Sequence, residues 1–135
     1  KQDVNKKINF VVKDWVQFDG DTGAYIQYNY VRARKILEKK ESKKVKVEIT
    51  KSIEYELLKK LNKSNQVLIE AVEKHNPSLI ANHSHELVRA FSKFYEQCPV
   101  VMNEVNHSRL RIVKAYEQKL KELMKLMGME PLKSM

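Results

Sequence analysis

At 135 residues and 42% hydrophobic, the chain is long enough for one domain with a core of its own and too short for two. Twenty-six Lys and Arg against seventeen Asp and Glu leave a formal charge of +9, the electrostatic footprint of a polyanion binder, with a lysine-rich surface serving only solubility as the alternative. A single cysteine, Cys98, excludes an internal disulfide, and no apolar run approaches the roughly 20 residues that span a bilayer, so a cytoplasmic protein without a membrane partner is expected.

Three Gly and three Pro leave little room for loops, and the many Leu, Lys and Glu favour helix, so an all-α fold is expected. Residues 1–17 alternate Ile8, Phe10 and Val12 with Asn9, Val11 and Lys13, which predicts a short extended lead-in before Trp15 and Phe18 pack onto the domain formed by residues 18–135. The chain opens on Lys1 in sequence that already reads as structured, and the expectation is a piece of a longer polypeptide. Asp19, Gly20 and Asp21 carry turn chemistry, and Thr22 is a natural N-cap for a first helix from about Gly23 to Lys39. On that helix Ile26, Tyr30, Ala33 and Leu37 share an apolar stripe, while Tyr25, Tyr28 and Arg32 fall on roughly the opposite face.

The stretch EKKESKKVKVE concentrates charge without helical periodicity and reads as a solvated connector. Thr50 is the expected N-cap of a second helix carrying Ile53, Leu57, Leu58 and Leu61, with Asn62-Lys63-Ser64-Asn65 as its break. Ser64 then caps a third helix whose inner face is Val67, Leu68, Ala71 and Val72. Asn76-Pro77 restarts the chain into a fourth helix, about Pro77 to Gln97, burying Leu79, Ile80, Leu87, Phe91 and Phe94 with Tyr95 on the shoulder of the stripe. The last helix, about His107 to Met127, repeats Ile112, Tyr116, Leu120, Leu123, Met124 and Met127 at helical spacing, and Gly128 is its natural C-cap. About five helices joined by short links predict an antiparallel bundle.

Gly20-Asp21-Thr22-Gly23 is too short for a phosphate-cradling loop and reads as a helix start. His83 and His85, two apart, point to different sides of a helix and have no third ligand at metal spacing, so no metal site is expected. Cys98 reads as a core-edge thiol, and no arrangement of catalytic groups stands out. Tyr25, Tyr28 and Arg32 have two readings: an exposed platform on which unpaired RNA bases stack, or side chains packed between helices with their polar ends at the rim.

The run FDGDTGAYIQYNYVRAR resembles the arginyl-tRNA synthetase pattern G-D/E-T-G-P-Y-x-Q-Y-x-x-x-R, which opens the family's C-terminal anticodon-binding domain. The likeness extends through DVNKKINFVVKDWVQF, FSKFYEQCPV, HSRLRIVKAYEQKL and the ending LMGMEPLKSM, in the family's order. It implies an all-α fold of the DALR type that grips the anticodon stem and loop of arginine tRNA, with Tyr25, Tyr28, Arg32, Tyr95 and Met135 at positions that meet the loop. It further implies a parent enzyme that joins arginine to tRNA with ATP and magnesium on a separate catalytic domain of the same chain. This chain lacks that domain's HIGH-type and KMSK-like motifs and is expected to bind tRNA without cofactor or catalysis of its own. Ala24 replaces the usual proline, and the lysine-rich connector departs from the family pattern. A stand-alone helical interaction or regulatory module that keeps the fold is the alternative function.

Overall fold

The computed structural model describes residues 23–40 and 43–135. The extended lead-in over 1–17, the packing of Trp15 and Phe18, the turn at Asp19–Asp21 and the Thr22 cap lie outside the described residues. Four helices make up the rest: α1 Gly23–Lys39, α2 Ser52–Glu73, α3 Ser78–Gln97 and α4 His107–Leu126. The described residues contain no strand, only an isolated bridge between Val101 and Val105. None of the helices is long and apolar enough to cross a membrane.

The expected count of five is one too many because the second and third predicted helices are a single element. Asn62, Lys63 and Asn65 face outward, while Ser64 is buried and its Oγ donates to the Lys60 carbonyl one turn back (3.3 Å). A serine that bonds to its own helix does not break it. The start of α2 also differs from expectation. Glu54 turns its carboxylate back to accept the backbone N–H of Thr50 (2.8 Å) and of Lys51 (3.5 Å), so a residue inside the first turn does the capping, not the Thr50 hydroxyl.

The two ends of α4 and the end of α2 are closed by local caps. Asn106 caps α4 by accepting the Arg109 N–H (3.1 Å). Beyond α4, Gly128 takes φ +75°, the Met129 N–H bonds the Met124 carbonyl (2.8 Å) and the Gly128 N–H that of Lys125 (3.0 Å), which is a Schellman closure. The same pair of bonds ends α2, from Asn76 to Ala71 (2.9 Å) and from His75 to Val72 (3.2 Å), but here a histidine occupies the left-handed position at φ 48°.

Cross-helix bonds give the relative directions. Arg109 meets Glu54 and Lys119 meets Asn65, so α2 and α4 run parallel; Lys51 Nζ meets the Gln97 carbonyl, so α3 runs against α2. Near its start α1 meets the segment after α4, and the chain just beyond its end meets the start of α4, which makes this pair antiparallel too. The result is an up-and-down bundle in which α1 packs chiefly on α4 and α2 chiefly on α3.

Its core joins Ile26, Tyr30 and Ala33 to Leu57, Leu87, Phe91 and Phe94 and to Leu110, Ile112, Tyr116, Leu120, Leu123 and Met124. At the centre Phe91 and Tyr116 stack with ring centroids 4.0 Å apart and 7° between planes. Leu37, Ile53, Leu58, Leu61, Leu68, Ile80 and Met127 are only partly buried against it, and Leu79 is half-buried. Val72, expected inside, is 73% exposed at the last turn of α2. Cys98 is buried at the end of α3, where burial pushes its thiol pKa up, as suits an inert core-edge thiol.

Two polar ties fix the helices laterally. Tyr30 donates its hydroxyl to Glu117 (2.9 Å), and burial, reinforced by that carboxylate, pushes the phenol up to about 12. His83 and Ser64 share a hydrogen bond of 2.8 Å between α3 and α2. His85 is buried as well, and among the described residues no group of three or more His, Cys, Asp or Glu could hold a metal ion.

The connector is not the solvated loop that its charge suggests. The Ser108 hydroxyl accepts the Glu48 N–H (2.9 Å) and donates to the Glu48 carbonyl (3.2 Å), Arg111 Nη1 donates to the Val45 carbonyl, and the Lys43 N–H meets His107 Nδ1 (3.4 Å). Residues 43–50 are thus strapped across the start of α4.

Candidate nucleic-acid interface

A helix turns 100° per residue, so Tyr28 and Arg32, one turn apart on α1, project to the same side. From α3, Tyr95 reaches the same place two residues before that helix ends. The Arg32 guanidinium carbon stands 3.8 Å from the Tyr95 ring centroid and 4.9 Å from that of Tyr28, inside the range where a cation is drawn to a ring face. Each such contact is worth about 0.5–2 kcal/mol, depending on desolvation. Arg32 also donates from Nη1 to Asn29 Oδ1 (3.3 Å), and Asn29 in turn donates from Nδ2 to the Tyr25 carbonyl (3.0 Å). The arginine is therefore held from three directions before any partner arrives, while Tyr95 remains 41% exposed.

Beneath this surface lies the aromatic core. Tyr95 leans on Phe91 with centroids 6.2 Å apart, and Phe91 stacks on the fully buried Tyr116. Burial drives the Tyr116 phenol pKa well above its ordinary value; the nearby Tyr25 adds to this and Arg32 opposes it. Beside Tyr95, a groove of about 290 Å³ is lined by Ile36, Lys39, Cys98, Pro99, Val100 and Val101. Its lining mixes apolar and polar surface, with the Lys39 cation among it.

The structure brings Tyr28, Arg32 and Tyr95 into one stack. Tyr25, Tyr28 and Arg32 are all half-buried, and Tyr25 also packs against the core near Tyr116 of α4. Met135 is exposed at the end of a tail laid back on α1. Gln27 clamps that tail with both ends of its amide: Nε2 donates to the Glu130 carbonyl (2.8 Å) and Oε1 accepts the Leu132 N–H (3.0 Å). Two residues separate Leu132 from Met135, three steps of chain with a reach of about 10 Å at most.

Two contributors to this site escaped sequence reasoning. Asn29 is fully buried among Ile26, Tyr30 and Ala33, and a lone amide on an apolar stripe was the available signal. For Gln27 no local signal exists, since its partners lie more than a hundred residues away.

A family model described as the DALR anticodon binding domain matches residues 26–135. The chain belongs to that family. It is 34% identical over 142 residues to the arginine–tRNA ligase of Clostridium perfringens, an alignment covering 97% of this chain and 25% of the relative. With the arginine–tRNA ligase of Enterococcus faecalis it shares 33% identity over 133 residues, covering 96% and 24%. Among solved structures, Thermus thermophilus arginyl-tRNA synthetase superposes with a TM-score of 0.86 at 25% identity over 96% of this chain and 24% of that one. The Plasmodium falciparum arginyl-tRNA synthetase superposes at 0.84 with 27% identity, over 99% and 25%. This DALR domain thus spans about a quarter of the length of these relatives. The resemblance read from its sequence, to the anticodon-binding domain of arginyl-tRNA synthetases, is borne out.

Proposed function

We propose that the chain binds the anticodon stem and loop of arginine tRNA on behalf of a longer arginine–tRNA ligase. The observation that carries this reading is the Arg32 guanidinium held against Tyr28 and Tyr95. Two aromatic rings around a fixed cation suit a single-stranded loop, whose splayed bases stack on rings while phosphates or base edges meet the guanidinium. Stacking is worth roughly 1–3 kcal/mol per base, so two rings supply most of a specific contact. The groove beside Tyr95 offers a slot of mixed polarity for a turned-out base, and Met135 would close over the loop from the tail that Gln27 holds. Tyr25 takes a supporting part at the edge of the core. The net charge of +9 supplies the attraction that is independent of sequence.

On this reading the chain selects tRNA and does not itself activate arginine. ATP and magnesium, like the joining of arginine to tRNA, belong to the catalytic part of the parent protein, and the whole acts in the cytoplasm. The test compares Tyr28→Ala with Lys121→Ala, a residue exposed on α4. Tyr28→Ala is expected to weaken arginine tRNA binding about 5- to 100-fold by fluorescence anisotropy, and Lys121→Ala by less than about threefold. Equal losses would mean that charge alone explains the affinity.

A further inference from the structure

From the strap over residues 43–50 we infer a second RNA contact, a phosphate rail that continues the Tyr28–Arg32–Tyr95 surface; this rests on the reading of that surface as an RNA site. Residues 44–48 alternate, with Val45 and Val47 partly buried and Lys44, Lys46 and Glu48 exposed. That two-residue alternation starts from a tight turn in which the Val45 N–H donates to the Lys43 carbonyl (2.9 Å). Val47 packs against the core, while Ser108, Arg111 and His107 hold the backbone at Glu48, Val45 and Lys43. The lysines are thus displayed from a fixed main chain, and less backbone entropy is lost when a partner binds them.

The strap also lies at the right end of the bundle. Tyr95 and the groove beside it sit where α3 ends, and Lys39, at the last turn of α1, lines that same groove. Only four residues lead from Lys39 to Lys43, about 14 Å fully extended. The chain after the groove runs through the Val101–Val105 bridge to the start of α4, where the strap is pinned. Lys39, Lys40, Lys43, Lys44 and Lys46 are all exposed along this path. Among the described residues the nearby acids are fewer: Glu48 on the strap, Glu104 in the α3–α4 link, and Glu38, which is paired with Arg34; the sequence adds Glu41 between Lys40 and Lys43. Lys44 and Lys46 stand at most about 7 Å apart along the main chain, within the axial rise of two nucleotides in a helical strand. The partner that fits is therefore the phosphodiester backbone flanking the loop held by Tyr28 and Tyr95.

The test combines Lys43→Ala, Lys44→Ala and Lys46→Ala in the chain and measures its affinity for arginine tRNA from 50 to 300 mM salt. The expected result is a loss of about tenfold near 100 mM and a log–log salt slope shallower by about two to three, with an unchanged melting temperature. The matching triple arginine variant should keep both affinity and slope. An unchanged slope in the triple alanine variant, beside a clear loss in Tyr28→Ala, would overturn the rail and leave the stacking site standing. No loss in either variant would overturn both.

Discussion

Glu54→Ala is expected to destabilise the protein by about 3–5 kcal/mol, the cost of leaving one member of a buried ion pair behind. The Glu54 side chain is 1% exposed and that of Arg109 11%, and their Oε1–Nε distance is 2.6 Å. Arg109 also donates to the Pro99 carbonyl (2.9 Å) and the Thr50 hydroxyl (3.5 Å), so one cation joins the start of α2, the start of the α3–α4 link and the first turn of α4. With a total stability of roughly 5–15 kcal/mol, losing this tie is close to losing the fold. Urea unfolding measures the change; a loss below about 1 kcal/mol would put the pair in the class of solvated surface bridges. A pH dependence follows from the same group. Burial by itself would raise the Glu54 carboxyl, but the Thr50 N–H and then Arg109 outweigh it and hold the carboxyl below its ordinary value. A depressed carboxyl contributes stability above its unfolded value of about 4.3 and loses it as pH falls through the folded value. Glu54→Gln should flatten that part of the acid unfolding curve.

Arg32→Ala is expected to cost arginine tRNA binding at least about 2 kcal/mol, roughly thirtyfold, because it removes a phosphate or base partner and frees both rings at once. Arg32→Lys separates the two roles. Lysine keeps the charge but has no planar group to lie against Tyr95 at 3.8 Å, so most of the loss should remain while the salt slope stays near that of the parent. Equilibrium titration of both variants with tRNA makes the measurement. Full recovery by lysine would assign Arg32 a purely electrostatic part.

How far these features could be read in the sequence depended on how local their causes are. The end of α1 and both ends of α3 and α4 fall where periodicity put them, with neighbouring residues such as Asn106 and Gly128 closing α4. Asn62 to Asn65 misled because four polar residues look like a break, whereas three simply face water and the fourth bonds to its own turn. The lysine strap misled for the opposite reason: its charge is local, but the Ser108 and Arg111 contacts that order it come from sixty or more residues away. The Glu54–Arg109 pair, at a separation of 55, left no trace in spacing at all. At the candidate site, helical geometry put Tyr28 and Arg32 together, and only the family resemblance pointed to Tyr95. Counting 100° per residue also placed Tyr25 on that face, but it cannot register how much of each side chain packs on the core, and all three residues are half-buried.

The central claim is that this surface reads an anticodon and not merely a polyanion. A mobility-shift titration with arginine tRNA and with a version substituted only in its anticodon tests it most directly. The two RNAs carry the same phosphates, so a difference in affinity can come only from the bases and the loop they shape. Binding about tenfold or more weaker for the substituted tRNA, at equal salt, is the predicted result; equal affinities would contradict the claim and leave a basic helical bundle that binds RNA by charge alone.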